Sequence, residues 1–529
     1  MKHQVAFTAP HHEAAKVGLD ILKAGGTASE AMVAAAAMVS VQYPHMNSIG
    51  GDSFWLICEK NKAPIAIDGC GFSAQNTLLS DYKKLGDELP ASGGSSAITV
   101  AGTISAWDKA LQINSGSLSL AELLKPAIKA ARSGIEVTKS LHDASVKTYE
   151  RLRHITSFSE LFLDNGDVLK VGSYVRNVRL AETFEKLSTY GLDDFYRGEI
   201  AELIANDLKK SGSPLSLSDL QEYEASVGTP LRVEIEKGTL YNHDAPTQGL
   251  ASLLILAIYA RLADRATSEA DHVHLLVEAT KQAFLVRDEH ITDPKHLAKP
   301  LSLWLEDTFI DSLAQNVSLS TAMPWPKYAE PGDTVWMGAT DRYGTMVSFI
   351  QSVYWEFGSG LVLPKTGILW NNRAKSFSLD SSHINKLEPR KKPFHTLNPA
   401  YAELKDGRRM VYGTMGGEGQ PQTQACLFTR FVYQEKSLVE SIAEPRWLLG
   451  RTWGDDTNQL RMEKQLFDAL GGQLTERGHT ATSVPDNNEL MGHAGAIVME
   501  TSGRVTAASD PRSDGLGIHG EENGNETGI

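Results

Sequence analysis

Cysteine is scarce in this chain of 529 residues, where only Cys58, Cys70 and Cys426 occur. The number is odd, no CxxC pair is present and none of the three stands beside a histidine cluster. That excludes a disulfide framework and a thiolate metal site and leaves three reduced thiols, as in a reducing compartment. Long apolar runs are missing too. The most apolar early stretch, residues 31–39, is nine positions long, about half of the ~18–20 needed to span a bilayer, and reads as a buried helix. MKHQVAFTAPHHEAAKVG at the start contains no apolar core of a secretory signal. A cytoplasmic location without membrane contact is the expectation. Positive charge is outnumbered, with 51 Lys and Arg against 65 Asp and Glu for a formal net charge of −14, which argues against nucleic acid as a partner. GxSxG and HExxH are both absent, so the serine-elbow and common zinc hydrolase readings have no support. No Walker or zinc-finger pattern and no solenoid-period repeat occurs. Nothing in the chain calls for a metal or a cofactor.

What remains is an ordinary globular composition, 41% hydrophobic, long enough to bury a core without staples. Residues 11–24 carry helical periodicity and stop at Gly25-Gly26. Thr27 with Glu30 then forms a capping-box pattern for an alanine-rich helix to about Val41. Strands are expected at 53–58 and 63–68. From about 100 to 310 the chain reads as mainly helical, with 118–133, 181–190, 200–210 and 273–286 fitting a 3.6 period. After Pro331-Gly332 the texture becomes β-rich, with strand candidates at 334–339, 345–351, 360–363, 401–404, 410–412 and 496–499. The Gly- and Glu-rich tail from 515 to 529 reads as mobile.

Residue patterns give a shortlist but no mechanism. Gly413-Thr-Met-Gly416-Gly417-Glu-Gly419 is a turn whose backbone N–H groups can converge on an anion or a developing oxyanion, or simply a tight turn between packed elements. It lacks the strand–GxGxxG–helix arrangement and following acid of a dinucleotide site. The His11-His12 pair lacks metal-ligand spacing.

The ordered motifs nevertheless resemble one family from about residue 5 to 515. AGGTASEAMVAAAAMVSVQYPHMNSIGGDSFWLI, LAELLKPAIKAARSGIEV, FYRGEIAELIANDL and HLLVEATKQAFLVRDEHITDP are similar to large-subunit landmarks of the γ-glutamyltransferase family. GDTVWMGATDRYGTMVSF, FGSGLVLPKTGILWNN, GTMGGEGQPQTQ and ASDPRS are similar to its small subunit. The resemblance implies an α+β, N-terminal-nucleophile αββα sandwich with an α-rich large-subunit portion. It also implies self-cleavage between Asp333 and Thr334, giving a large subunit of residues 1–333 and a small subunit of residues 334–529 from one precursor, with a dimer of heterodimers as the candidate assembly. Thr334 falls on the nucleophile, Ser352 on a second hydroxyl that hydrogen-bonds it, and Gly416 and Gly417 on the oxyanion hole. The chemistry fits a threonine, whose hydroxyl needs a base. Cleavage supplies one, the new α-amine, with an unperturbed pKa of about 7.7–8.0.

Departures from the family bear on substrate. Where members acting on γ-glutamyl groups hold the α-carboxylate with arginine, this chain has Cys70. Where they hold the α-ammonium with Asn, Gln and Asp, it has Tyr354, Arg373 and Ser376. A buried ammonium needs acceptors, and an arginine repels it. Arg373 instead offers a planar fork for a carboxylate. His395 and Thr396 fall on a serine pair of the substrate pocket, and His395 can add a donor or a second positive charge. The segment between Phe377 and Pro393 is short, which suggests an open pocket. These features resemble the family's oxamate amidohydrolase branch of purine breakdown, and imply a small-molecule amide substrate, oxamate, cleaved to oxalate and ammonia through an acyl-enzyme. The alternatives are a γ-glutamyl hydrolase or transferase, a related acylase, or an uncleaved binding protein. Val335 and Trp336 keep the last one open, because relatives have Thr-His after the nucleophile.

Overall fold

Two antiparallel sheets stack face to face, and helices cover both outer faces. The computed structural model describes residues 4–327, 332–450, 457–521 and 526–528. Its strands in these sheets are β1 (Gln4–Ala9), β2 (Asp52–Cys58), β3 (Ile65–Gly69), β4 (Ser226–Gly228), β5 (Leu231–Ile235), β6 (Gly238–Asn242), β7 (Asp333–Thr340), β8 (Met346–Tyr354), β9 (Ala400–Leu404), β10 (Arg409–Gly413), β11 (Gly495–Met499), β12 (Val505–Ser509), β13 (Leu516–Glu521) and β14 (Glu526–Gly528). One sheet runs β14-β13-β1-β7-β8-β2-β3-β4 and the other β12-β11-β10-β9-β6-β5. Each sheet takes strands from both sides of the Asp333–Thr334 bond. The two halves of the chain are interleaved, not side by side.

Three apolar clusters define the layers. Phe54, Leu56, Trp336, Ile350, Tyr401, Val411 and Ile497 fill the space between the sheets. Helices α1 (His12–Lys23), α2 (Ala28–Gln42), α3 (Leu120–Ser133) and α5 (Val178–Tyr190) pack with the outer face of the larger sheet, and α4 (Lys139–Leu152) lies in the same layer. Helices α6 (Gly249–Leu262), α7 (Glu269–His290) and α8 (Gln420–Val432) cover the smaller sheet. This is the expected αββα sandwich. The capping box of Thr27 and Glu30 forms, and α2 buries nearly its whole circumference. Its alanines permit that close approach, and a helix apolar all round belongs in a core.

Trp336 is only 2% exposed and donates Nε1–H to the Ser348 hydroxyl at 3.0 Å. A Cβ on Gly413 would stand 2.2 Å from its ring, and one on Gly495 2.6 Å. The residue that departs from the Thr-His pattern is therefore an inter-sheet anchor with matching cavities in the facing strands.

Three sequence expectations need correction. Residues 360–363 form no strand, only an isolated bridge between Val362 and Leu369, because Gly358 and Gly360 hold positive φ angles and turn the chain. The hairpin β5–β6 interrupts the stretch read as helical. Its buried Leu231, Val233 and Ile235 alternate with exposed Arg232 and Glu234, a period-two pattern. The segment after Gly515 is not a loose tail through Glu521, since six residues of β13 pair with β1. Composition missed this because backbone hydrogen bonds, not side chains, hold those residues. Residues 522–525 and 529 lie outside the described set.

Candidate active site

Thr334 sits at an irregularity in the β7–β8 ladder. Asp333 pairs with Tyr354 and Val335 with Gln351, so Thr334 faces two residues, Ser352 and Val353. Such a bulge re-aims side chains. Tyr354 completes the distortion with φ +85°, a conformation that non-glycine residues rarely hold away from functional sites.

The Asp333–Thr334 peptide bond is intact and closely held. The Asp333 carbonyl oxygen accepts from the Thr334 hydroxyl at 2.6 Å and from the Ser352 hydroxyl at 2.5 Å. Ser352 Oγ in turn accepts from the Tyr354 N–H at 2.8 Å. Two hydroxyl donors on one carbonyl polarise it toward attack. The Gln420 side-chain amide lies 3.5 Å from Thr334 Oγ, at the N-terminus of α8.

The paired glycines lie close by, with Gly417 against Gly332, the residue before Asp333. Gly416 has φ +121° and Gly417 φ +50°. A Cβ on Gly417 would meet Gly332 N at 3.0 Å and its Cα at 3.1 Å. Gln248 fixes this loop from behind, its side-chain N–H groups donating to the carbonyls of Gly417 and Thr396, both at 2.8 Å. Arg287 steadies Gln248 at 3.2 Å and pairs with Glu418 at 2.6 Å. Gln248 and Arg287 were not singled out from the sequence. Glu418 and Gln420 lie inside the quoted GTMGGEGQ motif, where only the glycines drew notice.

Arg373 is 1% exposed, with its guanidinium carbon 3.9 Å from the centre of the Tyr354 ring. Its Nη1 reaches Thr396 Oγ at 3.5 Å. Among the described residues, Nε and Nη2, the two donors of one edge, have no hydrogen-bond partner, and an Asp52 carboxylate oxygen stands 4.0 Å from Nε. Burial lowers the guanidinium pKa while Tyr354, Asp52 and Cys70 oppose that shift. Tyr354 links this guanidinium to the segment before Thr334, because its ring also borders Gly332. Thr334, Gly417, Tyr354, Arg373 and Thr396 thus form one contiguous cluster. Ser376 is spent on structure, donating to the carbonyls of Arg373 and Phe394 at 2.9 and 3.0 Å.

His395 does not supply a second positive charge. It is fully buried, and its pKa is pushed well below the usual histidine range, first by burial and then by Arg373, His243 and Lys392. Its Nδ1 accepts from the Leu397 N–H at 3.3 Å, so Nε2 carries the proton and donates to Asp52 at 3.0 Å. Burial raises Asp52 to about 7, with Arg373 and the Gly71 N–H opposing. His395 therefore positions Asp52 behind Arg373. An open pocket is not seen either, since Thr334 and Arg373 are each 1% exposed. Gly332 and Asp333 still occupy the floor of the cluster in the uncut chain.

Among the described residues, two groups have metal-like donor sets. Ligand atoms of Asp52, Cys70 and His395 fall within 4.8 Å of one another, as do those of His274, Glu278 and His479. Neither favours a cation. Arg373 already stands beside Asp52, and the Lys281 ammonium bonds Glu278 Oε1 at 2.7 Å. His274 Nδ1 instead accepts a hydrogen bond from His479 Nε2 at 2.8 Å.

Comparison with known proteins places this arrangement. Residues 14–519 match the family model for gamma-glutamyltranspeptidase. The oxamate amidohydrolase proenzyme of Klebsiella pneumoniae is 49% identical over 96% of this chain and 97% of its own length. The glutathione hydrolase-like YwrD proenzyme of Bacillus subtilis is 36% identical, covering 96% and 97%. Among solved structures, cephalosporin acylase from Bacillus halodurans superposes with a TM-score of 0.89 at 30% identity over 98% of this chain and 95% of that one. The sandwich, the interleaved halves and a family match running through both sheets agree: this chain belongs to the gamma-glutamyltranspeptidase family of amidohydrolases and transferases.

Proposed function

We propose that the chain is a self-processing N-terminal-threonine amidohydrolase whose substrate is oxamate. The buried guanidinium edge of Arg373, with two donors unmatched, carries this reading. An unpaired buried charge is costly, and a planar carboxylate satisfies both donors at once. Oxamate presents a carboxylate bonded directly to the amide to be cleaved, so one small ligand can meet Arg373 and Thr334 together. The name of the Klebsiella relative supports the same substrate.

Thr334 first attacks the Asp333 carbonyl, and an N→O acyl shift followed by hydrolysis separates residues 1–333 from 334–529. The freed α-amine then takes the Thr334 hydroxyl proton as the hydroxyl attacks the oxamate amide. The oxyanion forms against the Gly416–Gly417 loop, ammonia leaves, and water hydrolyses the oxalyl ester. Val335 and Trp336 do not disturb this scheme, because Trp336 is an inter-sheet anchor. Three buried unpaired cysteines support a reducing, cytoplasmic setting. Among the described residues, no helix is long and apolar enough to cross a membrane.

A γ-glutamyl hydrolase or an acylase is the competing reading, and the Bacillus relatives favour it by name. Arg373 opposes the γ-glutamyl form, because it stands where an α-ammonium needs acceptors. Ammonia release from oxamate, measured beside cleavage of a γ-glutamyl anilide, separates the two. Oxamate turnover with no anilide cleavage is expected, and strong anilide turnover with none of oxamate overturns the proposal.

A further inference from the structure

We propose that Asp333 is a catalytic residue of the self-cleavage, its side-chain carboxyl carrying a proton from the Thr334 hydroxyl to the Thr334 nitrogen. This rests on the reading of Thr334 as nucleophile given above and adds to it the group that solves its proton problem. Before the cut no free α-amine exists, so the base used in later turnovers is not yet available. The amide nitrogen must also gain a proton before it can leave.

Asp333 is placed at the leaving nitrogen, and the Thr334 hydroxyl meets the same residue at its main-chain carbonyl oxygen, 2.6 Å away. Its Oδ1 accepts from the Thr334 N–H at 2.8 Å, so the carboxyl already touches the leaving atom. The side chain is buried, 4% exposed. Three charged groups face it: Glu356 from the turn after β8, Lys147 from α4 and Glu489 from the turn at 489–491. Lys147 is in an ion pair with Glu356. Burial, reinforced by Glu356, holds the carboxyl well above the usual range, against the opposing Thr334 N–H and Lys147. A protonated carboxyl has one oxygen to receive a proton and another to give one.

The step balances. A lone pair of Thr334 Oγ forms the new C–O bond at the Asp333 carbonyl carbon, and the C=O π pair moves onto the oxygen held by Ser352. When the intermediate collapses, the C–N pair stays on nitrogen and takes the carboxyl's proton while the hydroxyl proton passes to the other carboxyl oxygen, so the carboxyl never holds two protons. Amide becomes ester plus free amine, and the carboxyl ends in its starting state.

The test is a time course of cleavage of freshly synthesised precursor on denaturing gels, with N-terminal sequencing of the small piece. Asp333→Asn keeps the acceptor for the Thr334 N–H but cannot relay a proton, and is expected to cut at least 100-fold more slowly. Wild-type cleavage should slow as pH rises and the carboxyl ionises, and the variant's residual rate should lack that alkaline fall. Cutting of Asp333→Asn within threefold of wild type overturns this proposal alone, provided Thr334→Ala stays uncut. Cleavage of Thr334→Ala at the same bond overturns the nucleophile reading beneath it. Should Asp333→Asn melt below Thr334→Ala and so prove misfolded, the wild-type pH profile decides, and a flat or rising alkaline limb overturns the proposal.

Discussion

Replacing Arg373 with methionine should abolish turnover without weakening the fold. In the uncut chain this guanidinium leaves two buried donors unmatched. Each such group costs about 1–3 kcal/mol, more when charged. Stacking on Tyr354 at 3.9 Å returns only about 0.5–2 kcal/mol, and Asp52 stands at 4.0 Å, beyond hydrogen-bond reach. Methionine fills similar space with nothing to satisfy, so stability should hold or rise by about 1–3 kcal/mol, in line with apolar replacement of other buried charges. The substrate carboxylate, by contrast, loses its only fork. Breaking such a buried pair costs about 3–5 kcal/mol, which is roughly two to three and a half orders of magnitude in kcat/KM. Ammonia release from oxamate and thermal melting of the processed enzyme read the two halves. Arg373→Lys, which keeps the charge but not the fork, should fall between. The reasoning fails if Arg373→Met melts several degrees lower while turning over oxamate at near wild-type rate, because Arg373 would then be a structural residue.

Gly417→Ala should cost about 2.7–4 kcal/mol of barrier, the usual loss for one oxyanion donor. Its Cβ would stand 3.0 Å from Gly332 N and the residue keeps φ +50°, so the loop must shift; kcat unchanged within threefold would contradict this. Ser352→Ala removes a 2.5 Å hydrogen bond to the scissile carbonyl and should slow self-cleavage roughly 10- to 100-fold, since bonds to developing charge are worth about 1.5–3 kcal/mol. Gel time courses with wild-type half-lives would count against it. His493 is buried, both ring nitrogens have no partner among the described residues, and burial lowers its pKa to about 4. A depressed histidine pKa means the unfolded chain takes the proton first. Stability present above about pH 6.5 is therefore lost as pH falls toward 4, by about 3 kcal/mol. Urea unfolding of His493→Gln against wild type should shift in the variant's favour by that amount between pH 7 and pH 4, and an unchanged difference refutes the assignment.

Much of the frame was legible in local pattern. The capping box at Thr27, the helix at 269–290 and the strands flanking Thr334 all follow from periodicity and turn residues. Strands β1 and β13 were not, because β13 is Gly-rich and its pairing with β1 joins residues about 500 positions apart. The site divides in the same way. Thr334, Ser352, Gly416, Gly417 and Arg373 came from family resemblance; the structure sets Ser352 on the Asp333 carbonyl, Gly417 against Gly332 and Arg373 on the Tyr354 ring. The role of His395 was misjudged because the charge of a histidine depends on burial and neighbours, here Asp52 across 343 positions. Gln248 and Arg287 carry no local signal, since glutamine before a helix and arginine within one are ordinary residues there.

The segment that leads to the Asp333–Thr334 bond is anchored further back. Lys327 is tied to Asp288 at 2.7 Å, the Trp325 carbonyl accepts from Asn458 at 2.8 Å, and Met323 is held by Glu278 and Lys281. Six residues, 328 to 333, separate the last of these anchors from the bond to be broken. Fully extended they reach roughly 20 Å. On the proposed self-cleavage, the freed Asp333 end stays within that reach of Lys327. The enzyme would then mature with a carboxylate-bearing stub tethered within reach of the entrance, at an effective concentration far above that of any free anion. A substrate as small as oxamate would have to compete with the end of its own enzyme, and removing residues 328–333 from the processed large subunit would show as a lower apparent KM.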